Sequence, residues 1–234
     1  MNDDSLTIAE FEKTLQAVYE KIPENDELKF LVSSNIGFEI LNLKLSINIL
    51  LDRNHHTGIL PLLRVMMENS IYLKYILKED SSKRSRAYQL GVYRDIKKQY
   101  EAQKRNKKLQ KMREQDKSLN KQIVLYEQNS SEIMKYIEEL DLLYGHKLAP
   151  WYNDDRKTTG IYKLFERMDK SDWYDSVYRY LCMESHGNIG LNHIKRSENG
   201  ITRLNPTTWD EDKISNISCS ILNETKKELA KLIN

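Results

Sequence analysis

The sequence predicts an all-α protein, and three observations support this class. The chain has 234 residues with only 8 Gly and 4 Pro, and it is rich in the Lys, Glu, Leu and Ile residues that helices favour. Apolar residues recur every three to four positions along most of its length. The alternating pattern that is typical of strands is almost absent. We therefore expect a multi-helix bundle that forms one domain over residues 1–234.

Bulk properties exclude several classes of protein. The formal net charge is +2, so overall charge selects no partner. The 2 cysteines, Cys182 and Cys219, are far apart, which favours neither a disulfide framework nor a zinc motif. The acidic N-terminus lacks the apolar core of a signal peptide, and no apolar run is long enough to cross a bilayer. The sequence thus predicts a cytoplasmic protein with no membrane partner.

The first two helices follow from capping and apolar periodicity. Asp4, Ser5 or Thr7 can begin a helix that runs to about Lys21, before Pro23. A second helix is predicted over about 26–51. Because its apolar residues lie on nearly all sides, this helix is expected to be central and buried. Those apolar residues are Leu28, Leu31, Ile36, Ile40, Leu41, Leu43, Leu45, Ile47 and Leu50.

A third helix, from Pro61 to about Lys78, contains a pair of opposite charges. Arg64 and Glu68 are four residues apart on one face, and Tyr72 follows one turn later. The helix is otherwise so apolar that this pair can be buried, and a buried pair is costly unless it is well bonded. A structural role and a role in a site are equally open.

The next segment is strongly basic. Between Arg94 and Lys121 there are eleven Lys or Arg residues against four Asp or Glu, an excess of seven positive charges. We expect a long, projecting helical hairpin over 93–143, with a return helix from Leu119 to Leu143. It is either a solvated arm or a track for RNA phosphates, with Tyr88, Tyr93 and Tyr100 available to stack on bases. The predicted nucleic-acid-binding residues are Lys97, Lys98, Lys104, Arg105, Lys107, Lys108, Lys111 and Arg113.

The stretch from Trp173 to Ile194 gathers the most chemistry. Arg179 and His186 are seven residues apart, two helical turns, so both are expected on one face. An imidazole can transfer a proton, and a guanidinium can hold a phosphate. The other interpretation is that His186 is a hydrogen-bonded core residue. The apolar stripe predicted for this helix is Tyr174, Tyr178, Leu181, Cys182 and Ser185.

No metal or cofactor is expected. The adjacent His55 and His56 are best explained as a solvated loop, because neighbouring side chains point apart. Zinc bound by Cys182, His186 and His193 would lack a fourth ligand. A Cys182 nucleophile would be badly placed for a base on the same helix face. A short helix over 161–168 and a last helix from Thr207 or Thr208 complete the prediction.

Arg179, six intervening residues and His186 resemble the Arg-x4–6-His signature of the HEPN ribonucleases. The resemblance implies a helical, dimeric, metal-independent ribonuclease, of the kind found in bacterial toxins and phage defence. Arg179 and His186 would be its catalytic residues. Its partners would be RNA, a second copy of the chain in a composite site, and an antitoxin or other defence protein.

A second resemblance covers about Pro61 to His193, with the basic hairpin as an insertion. Arg64 and Glu68 on one helix, and Tyr178 and His186 on a later one, resemble the domain-of-unknown-function 5677 family. Cys182 stands where that family usually has Ser. The resemblance implies a fold and a site more than a reaction. The supporting residues that we predict for the site are Arg64, Glu68, Tyr72, Tyr178, Cys182 and Asn188.

Two other functions fit the same residues. The protein can be a non-catalytic module that binds nucleic acid or a partner protein through the basic hairpin. It can also be a sensing bundle in which Arg64, Glu68, Tyr178 and His186 line a pocket for a small molecule.

Overall fold

The structure, a computed structural model, describes residues 3–23, 26–55, 58–185, 194–196, 202–204 and 209–233. It confirms the all-α class. The helices are α1 (Asp3–Glu20), α2 (Glu27–Asp52), α3 (Ile59–Lys78), α4 (Ser81–Arg105), α5 (Lys107–Gln115), α6 (Lys121–Gln128), α7 (Ser130–Leu143), α8 (Ile161–Arg167), α9 (Ser171–Trp173), α10 (Arg179–Ser185) and α11 (Glu211–Ala230). A 3₁₀ turn spans Lys117–Asn120, and a π-helix spans Tyr174–Tyr178. The strands β1 (Ile194–Arg196) and β2 (Thr202–Leu204) form a short antiparallel ladder, although the sequence shows almost no strand pattern.

The chain divides into two compact units. Residues 1–82 and 161–234 form the first, which we call the helical unit. Residues 83–160 form the second, the hairpin unit, which contains the predicted arm over 93–143.

In the helical unit α2 packs against α3, α11 packs against both of them, and α1 packs against α2 and α11. Phe11, Ile40, Leu63 and Ile221 are among its buried residues, as the 3.6-residue periodicity of these helices predicts. The last helix begins at Glu211, where the side chain of Asp210 accepts a hydrogen bond from the N–H of Lys213. Thr207 and Thr208, where it was predicted to begin, lie outside the described residues.

The prediction that α2 is buried on nearly all sides is wrong. Its partners cover one side, where Ile36, Ile40 and Ile47 are buried. Leu31 and Leu45, which were expected inside, are exposed on the other side. α2 therefore carries more apolar residues than are needed to pack the one face that its partners cover.

In the hairpin unit Ala87 and Leu90 of α4 form a small core with Leu140 of α7 and Leu148. The tight packing of α4 requires a glycine, because a Cβ at Gly91 would lie 2.8 Å from the Cβ of Trp151. The basic segment is not one continuous helix. Asn106 adopts an extended conformation, and its side chain caps α5 by accepting from the N–H groups of Lys108 and Leu109.

Candidate functional site

A single carboxylate oxygen joins two distant parts of the helical unit. Arg64 and Glu68, one turn apart on α3, form the predicted pair, with the Arg64 Nε 2.9 Å from the Glu68 Oε1. The Tyr178 hydroxyl donates a hydrogen bond to the same Oε1 at 2.5 Å. The Arg64 guanidinium also lies over the Tyr178 ring, 5.7 Å from its centroid. The three residues therefore form one network, which we call the Arg–Glu–Tyr network.

The network has a buried end and an open end. Tyr178 is 2% exposed, whereas the side chains of Arg64 and Glu68 are 26% and 22% exposed. Its polar groups are thus anchored in the packed interior and still reach the surface. An ion pair with only a structural role does not need to remain accessible to solvent.

Both ends of the network are held in one protonation state. Burial, followed by the hydrogen bond to Glu68, raises the pKa of Tyr178 above its ordinary value. Burial alone would lower the pKa of Arg64, but its interactions with Tyr178 and Glu68 outweigh burial and raise it. At neutral pH Tyr178 is therefore a hydrogen-bond donor and Arg64 a fixed cation, and neither can act as a general base.

The segment that carries Tyr178 is not a regular α-helix. Between α9 and α10 the backbone follows the π-helix, where an uninterrupted α-helix was predicted. The ring of Tyr178 packs against those of Phe165 and Tyr174, with centroids 5.0 and 5.2 Å apart. π-helical turns are uncommon and often occur at functional sites.

The other predicted site residues have different positions. Arg179 follows Tyr178 directly but is exposed, and within the described part of the chain its side chain joins no hydrogen bond or ion pair. Cys182 is half-buried one turn after Tyr178, and Tyr72 is half-buried one turn after Glu68. His186 and Asn188 lie outside the described residues. The expectation that Arg179 and His186 share a face stays a prediction.

The predicted nucleic-acid-binding residues of the hairpin unit fall into three groups. Arg113 is buried and donates to the Gln103 carbonyl, so it must be removed from the set. Four are exposed or partly exposed but engaged locally: Lys97 with Glu101, Lys98 with Asp95, Lys104 with Glu127, and Arg105 with the Glu101 carbonyl. Lys107, Lys108 and Lys111 are exposed and have no carboxylate partner among the described residues.

The three tyrosines that were expected to stack on bases are half-buried and contact other aromatic rings, Tyr88 meeting Trp151 edge-on at 5.0 Å. Tyr93 stacks on Tyr136 at 4.5 Å, and Tyr100 stacks on Tyr126 at 3.9 Å. Both pairs border a cavity of about 450 Å³ between α4 and the return helices. The rings face the return helices because α6 and α7 supply aromatic partners there. The periodicity of the sequence could not show whether these tyrosine rings pack against other helices or are exposed to solvent.

The described residues offer neither a metal cluster nor a membrane-spanning helix. They contain no group of three or more His, Cys, Asp or Glu side chains placed to hold a metal ion. None of the helices that the structure describes is long and apolar enough to cross a membrane.

Residues 38–201 match a protein family of unknown function, DUF5677. Because the match covers more than half of the chain, the protein belongs to this family. This confirms the second resemblance that the sequence suggested. No curated protein and no solved structure matches the chain. The resemblance to HEPN ribonucleases stays a prediction.

Sequence reasoning missed two parts of the site. It grouped Arg64, Glu68 and Tyr178 in one site, but it predicted no contact between Tyr178 and Glu68 and gave no role to Phe165, which supports the Tyr178 ring. It also missed the π-helix. The aromatic spacing of Tyr174 and Tyr178 was the available signal, yet it fits an α-helix equally well.

Proposed function

We propose that the protein is a metal-independent endoribonuclease, similar to the HEPN ribonucleases, that acts as a toxin or phage-defence effector. The observation that supports this most is the position of Arg179. Its exposed guanidinium directly follows Tyr178, which the Arg–Glu–Tyr network anchors. An exposed cation on an anchored segment is suited to binding a phosphate.

The chemistry needs only proton transfer and charge stabilisation. The ribose 2′-OH attacks the adjacent phosphorus, and the bond from phosphorus to the 5′ oxygen breaks. His186 gives a proton to that leaving oxygen, and Arg179 stabilises the negative charge that develops on the phosphate oxygens. A twofold dimer would place two copies of His186 in one site, so that one takes the 2′-OH proton and the other donates. The products are a 2′,3′-cyclic phosphate and a 5′-OH.

The test is incubation of purified protein with total RNA in a chelator, followed by analysis of the cleaved ends. Wild type should leave 2′,3′-cyclic phosphates. His186→Ala and Arg179→Ala should each lower the cleavage rate by at least about 100-fold. His55→Ala and Arg53→Ala are matched controls on exposed residues at the end of α2 and should cleave normally.

Loss of cleavage must be separated from loss of folding. Because Arg179 is exposed, Arg179→Ala should change the free energy of unfolding by less than about 0.5 kcal/mol. Cleavage by His186→Ala at the wild-type rate would refute the assignment.

A second function, non-catalytic RNA binding, is favoured by Lys107, Lys108 and Lys111, which are exposed without carboxylate partners in the described part. Binding of single-stranded RNA should weaken steeply with salt and should survive His186→Ala. Replacing all three lysines by Gln should reduce the slope of log K against log salt by about 2, since each phosphate contact contributes about 0.7. Replacing Lys13, Lys83 and Lys157, which lie elsewhere in the chain, is the matched control. An equal reduction in both triple variants would exclude this patch.

A further inference from the structure

The exposed side of α2 carries an apolar stripe that the described residues of the helical unit leave uncovered. Its members recur at spacings of four and three residues, which keeps them within a narrow band along the helix. Phe38 is 55% exposed and Ile49 is 61% exposed, so the large members stand well clear of the core. We call this band the α2 stripe; it consists of Leu31, Asn35, Phe38, Asn42, Leu45 and Ile49.

The α2 stripe is unusual for a solvated surface of this protein. The chain is 31% charged, yet the exposed positions of α2 from Leu31 to Ile49 include one charged residue, Glu39. The exposed side of α4 in the hairpin unit is, by contrast, mostly charged. A helix face that only meets water needs no line of Leu, Phe and Ile.

The exposed area is large enough for association. The stripe borders a groove of about 720 Å³ that is also lined by Tyr19 of α1, itself 61% exposed. The four apolar stripe residues and Tyr19 together expose on the order of 500 Å² of side chain, near the upper limit for a patch on a monomer. If polar residues around the patch are also buried, the area buried on each partner approaches the roughly 800 Å² of a standard interface.

The sequence of the stripe favours a second copy of α2 as its partner. Spacings of four and three are those of the seam between two supercoiled helices, in which Leu31, Phe38 and Leu45 take one core position. Asn35, Asn42 and Ile49 take the other. A polar Asn in that position is tolerated when it faces another Asn, and it then fixes the register of a two-stranded pair. An unrelated apolar partner would bury both amides unpaired.

Orientation follows from the same residues. In a parallel, in-register pair every stripe residue meets its own copy, so Asn35 faces Asn35 and Phe38 faces Phe38. In an antiparallel pair that overlaps the whole stripe, Asn35 meets Leu45 and Asn42 meets Phe38, which leaves four amides against apolar side chains. The parallel arrangement is therefore favoured.

We infer that the α2 stripe is the interface through which two copies of this chain form a parallel, in-register dimer. This inference does not rest on ribonuclease activity.

The first experiment measures the molar mass of the full chain in solution by light scattering and sedimentation. Wild type should have the mass of two 27.7 kDa chains. Phe38→Glu and Ile49→Glu each place two like charges in the seam and should raise the dimer Kd by at least about 100-fold. Leu142→Glu is the matched control, because Leu142 is a 78% exposed apolar residue of α7, and it should stay dimeric.

A monomeric wild type would overturn the inference, and so would a dimer that Phe38→Glu and Ile49→Glu leave intact. Circular dichroism must show unchanged helix content in both variants. If either variant unfolds, disulfide crosslinking, which needs no charged substitution, tests the interface instead.

Disulfide crosslinking tests the orientation. Under mild oxidation Asn35→Cys should form a covalent dimer, since facing core positions of a parallel pair bring the two Cα atoms within about 7 Å. The wild type reports any crosslinking by Cys182 and Cys219. Glu39→Cys, one turn further along α2 and beside the stripe, should crosslink much less. Equal crosslinking at both positions, or none at Asn35→Cys in a dimeric protein, would overturn the parallel register.

Discussion

Two arginine–carboxylate pairs in this protein have opposite surroundings. In the hairpin unit Arg84 and Asp154 are joined at 2.9 Å, and their side chains are 1% and 7% exposed. In the helical unit Arg64 and Glu68 are also joined at 2.9 Å, but about a quarter of each side chain remains exposed. The first pair is sealed and the second is open. Similar bonds therefore serve packing in one unit and remain available to a ligand in the other.

The difference arises from where each partner lies in the chain. Asp154 comes from a loop 70 residues after Arg84 and closes over it. Glu68 is on the same helix as Arg64, so it pairs with Arg64 without covering it, and Tyr178 closes one side of the pair. An ion pair by itself does not identify a functional site. The solvent exposure of the pair and the presence of a third polar partner, such as Tyr178, are the features that do.

The largest expected effect is at the sealed pair. Arg84→Ala leaves the buried Asp154 carboxylate without its cation and should lower the free energy of unfolding by about 3–5 kcal/mol. Arg86→Ala is the control, because Arg86 pairs with Glu139 but is about one third exposed. It should cost less than about 1 kcal/mol. Denaturant titrations followed by circular dichroism measure both, and equal losses would remove the distinction between sealed and open pairs.

A smaller effect is expected at the shared carboxylate of the open pair. Glu68→Ala removes the acceptor of Tyr178 and the partner of Arg64 and should cost about 1–3 kcal/mol. Glu68→Gln retains an acceptor oxygen for the Tyr178 hydroxyl, so it should cost less. The same titrations compare them. If the two variants are equally stable, the hydrogen bond of Tyr178 contributes nothing.

The Tyr178 hydroxyl gives a third test, which also depends on pH. Tyr178→Phe should cost about 0.5–1.5 kcal/mol at neutral pH. Because the folded pKa of Tyr178 is raised, its contribution is complete below the unfolded pKa of about 10 and is lost as pH rises above it. The stability difference between wild type and Tyr178→Phe should therefore shrink above pH 10. A constant difference would mean that the ionisation of Tyr178 is not linked to folding.

The smallest effect is expected at a fully solvated pair. Lys98 and Asp95 lie 3.0 Å apart on α4, and both side chains are mostly exposed. Lys98→Gln should change the free energy of unfolding by less than about 0.5 kcal/mol, because water screens the pair. If the loss is as large as that of Glu68→Ala, solvent exposure does not determine how much each ion pair contributes to the free energy of unfolding.

Much of the helical unit could be predicted because its signals are local. The approximate bounds of α1, α2 and α3 follow from apolar spacing, and four-residue spacing placed Arg64 beside Glu68. Other features depend on residues far apart in the chain. The Arg84–Asp154 pair and the stacking of Tyr93 on Tyr136 join segments that no spacing rule connects.

The sequence by itself determined the helical class, the family signature and the contacts within single helices. Those features depend on the 3.6-residue repeat and on capping, which act over a few residues. Only the tertiary structure decided which arginine pair is sealed, that Tyr178 shares the Glu68 carboxylate, and that Phe38 and Ile49 of α2 are exposed. Burial is a property of how helices pack together, and an apolar residue in the sequence does not say which neighbour, if any, will cover it.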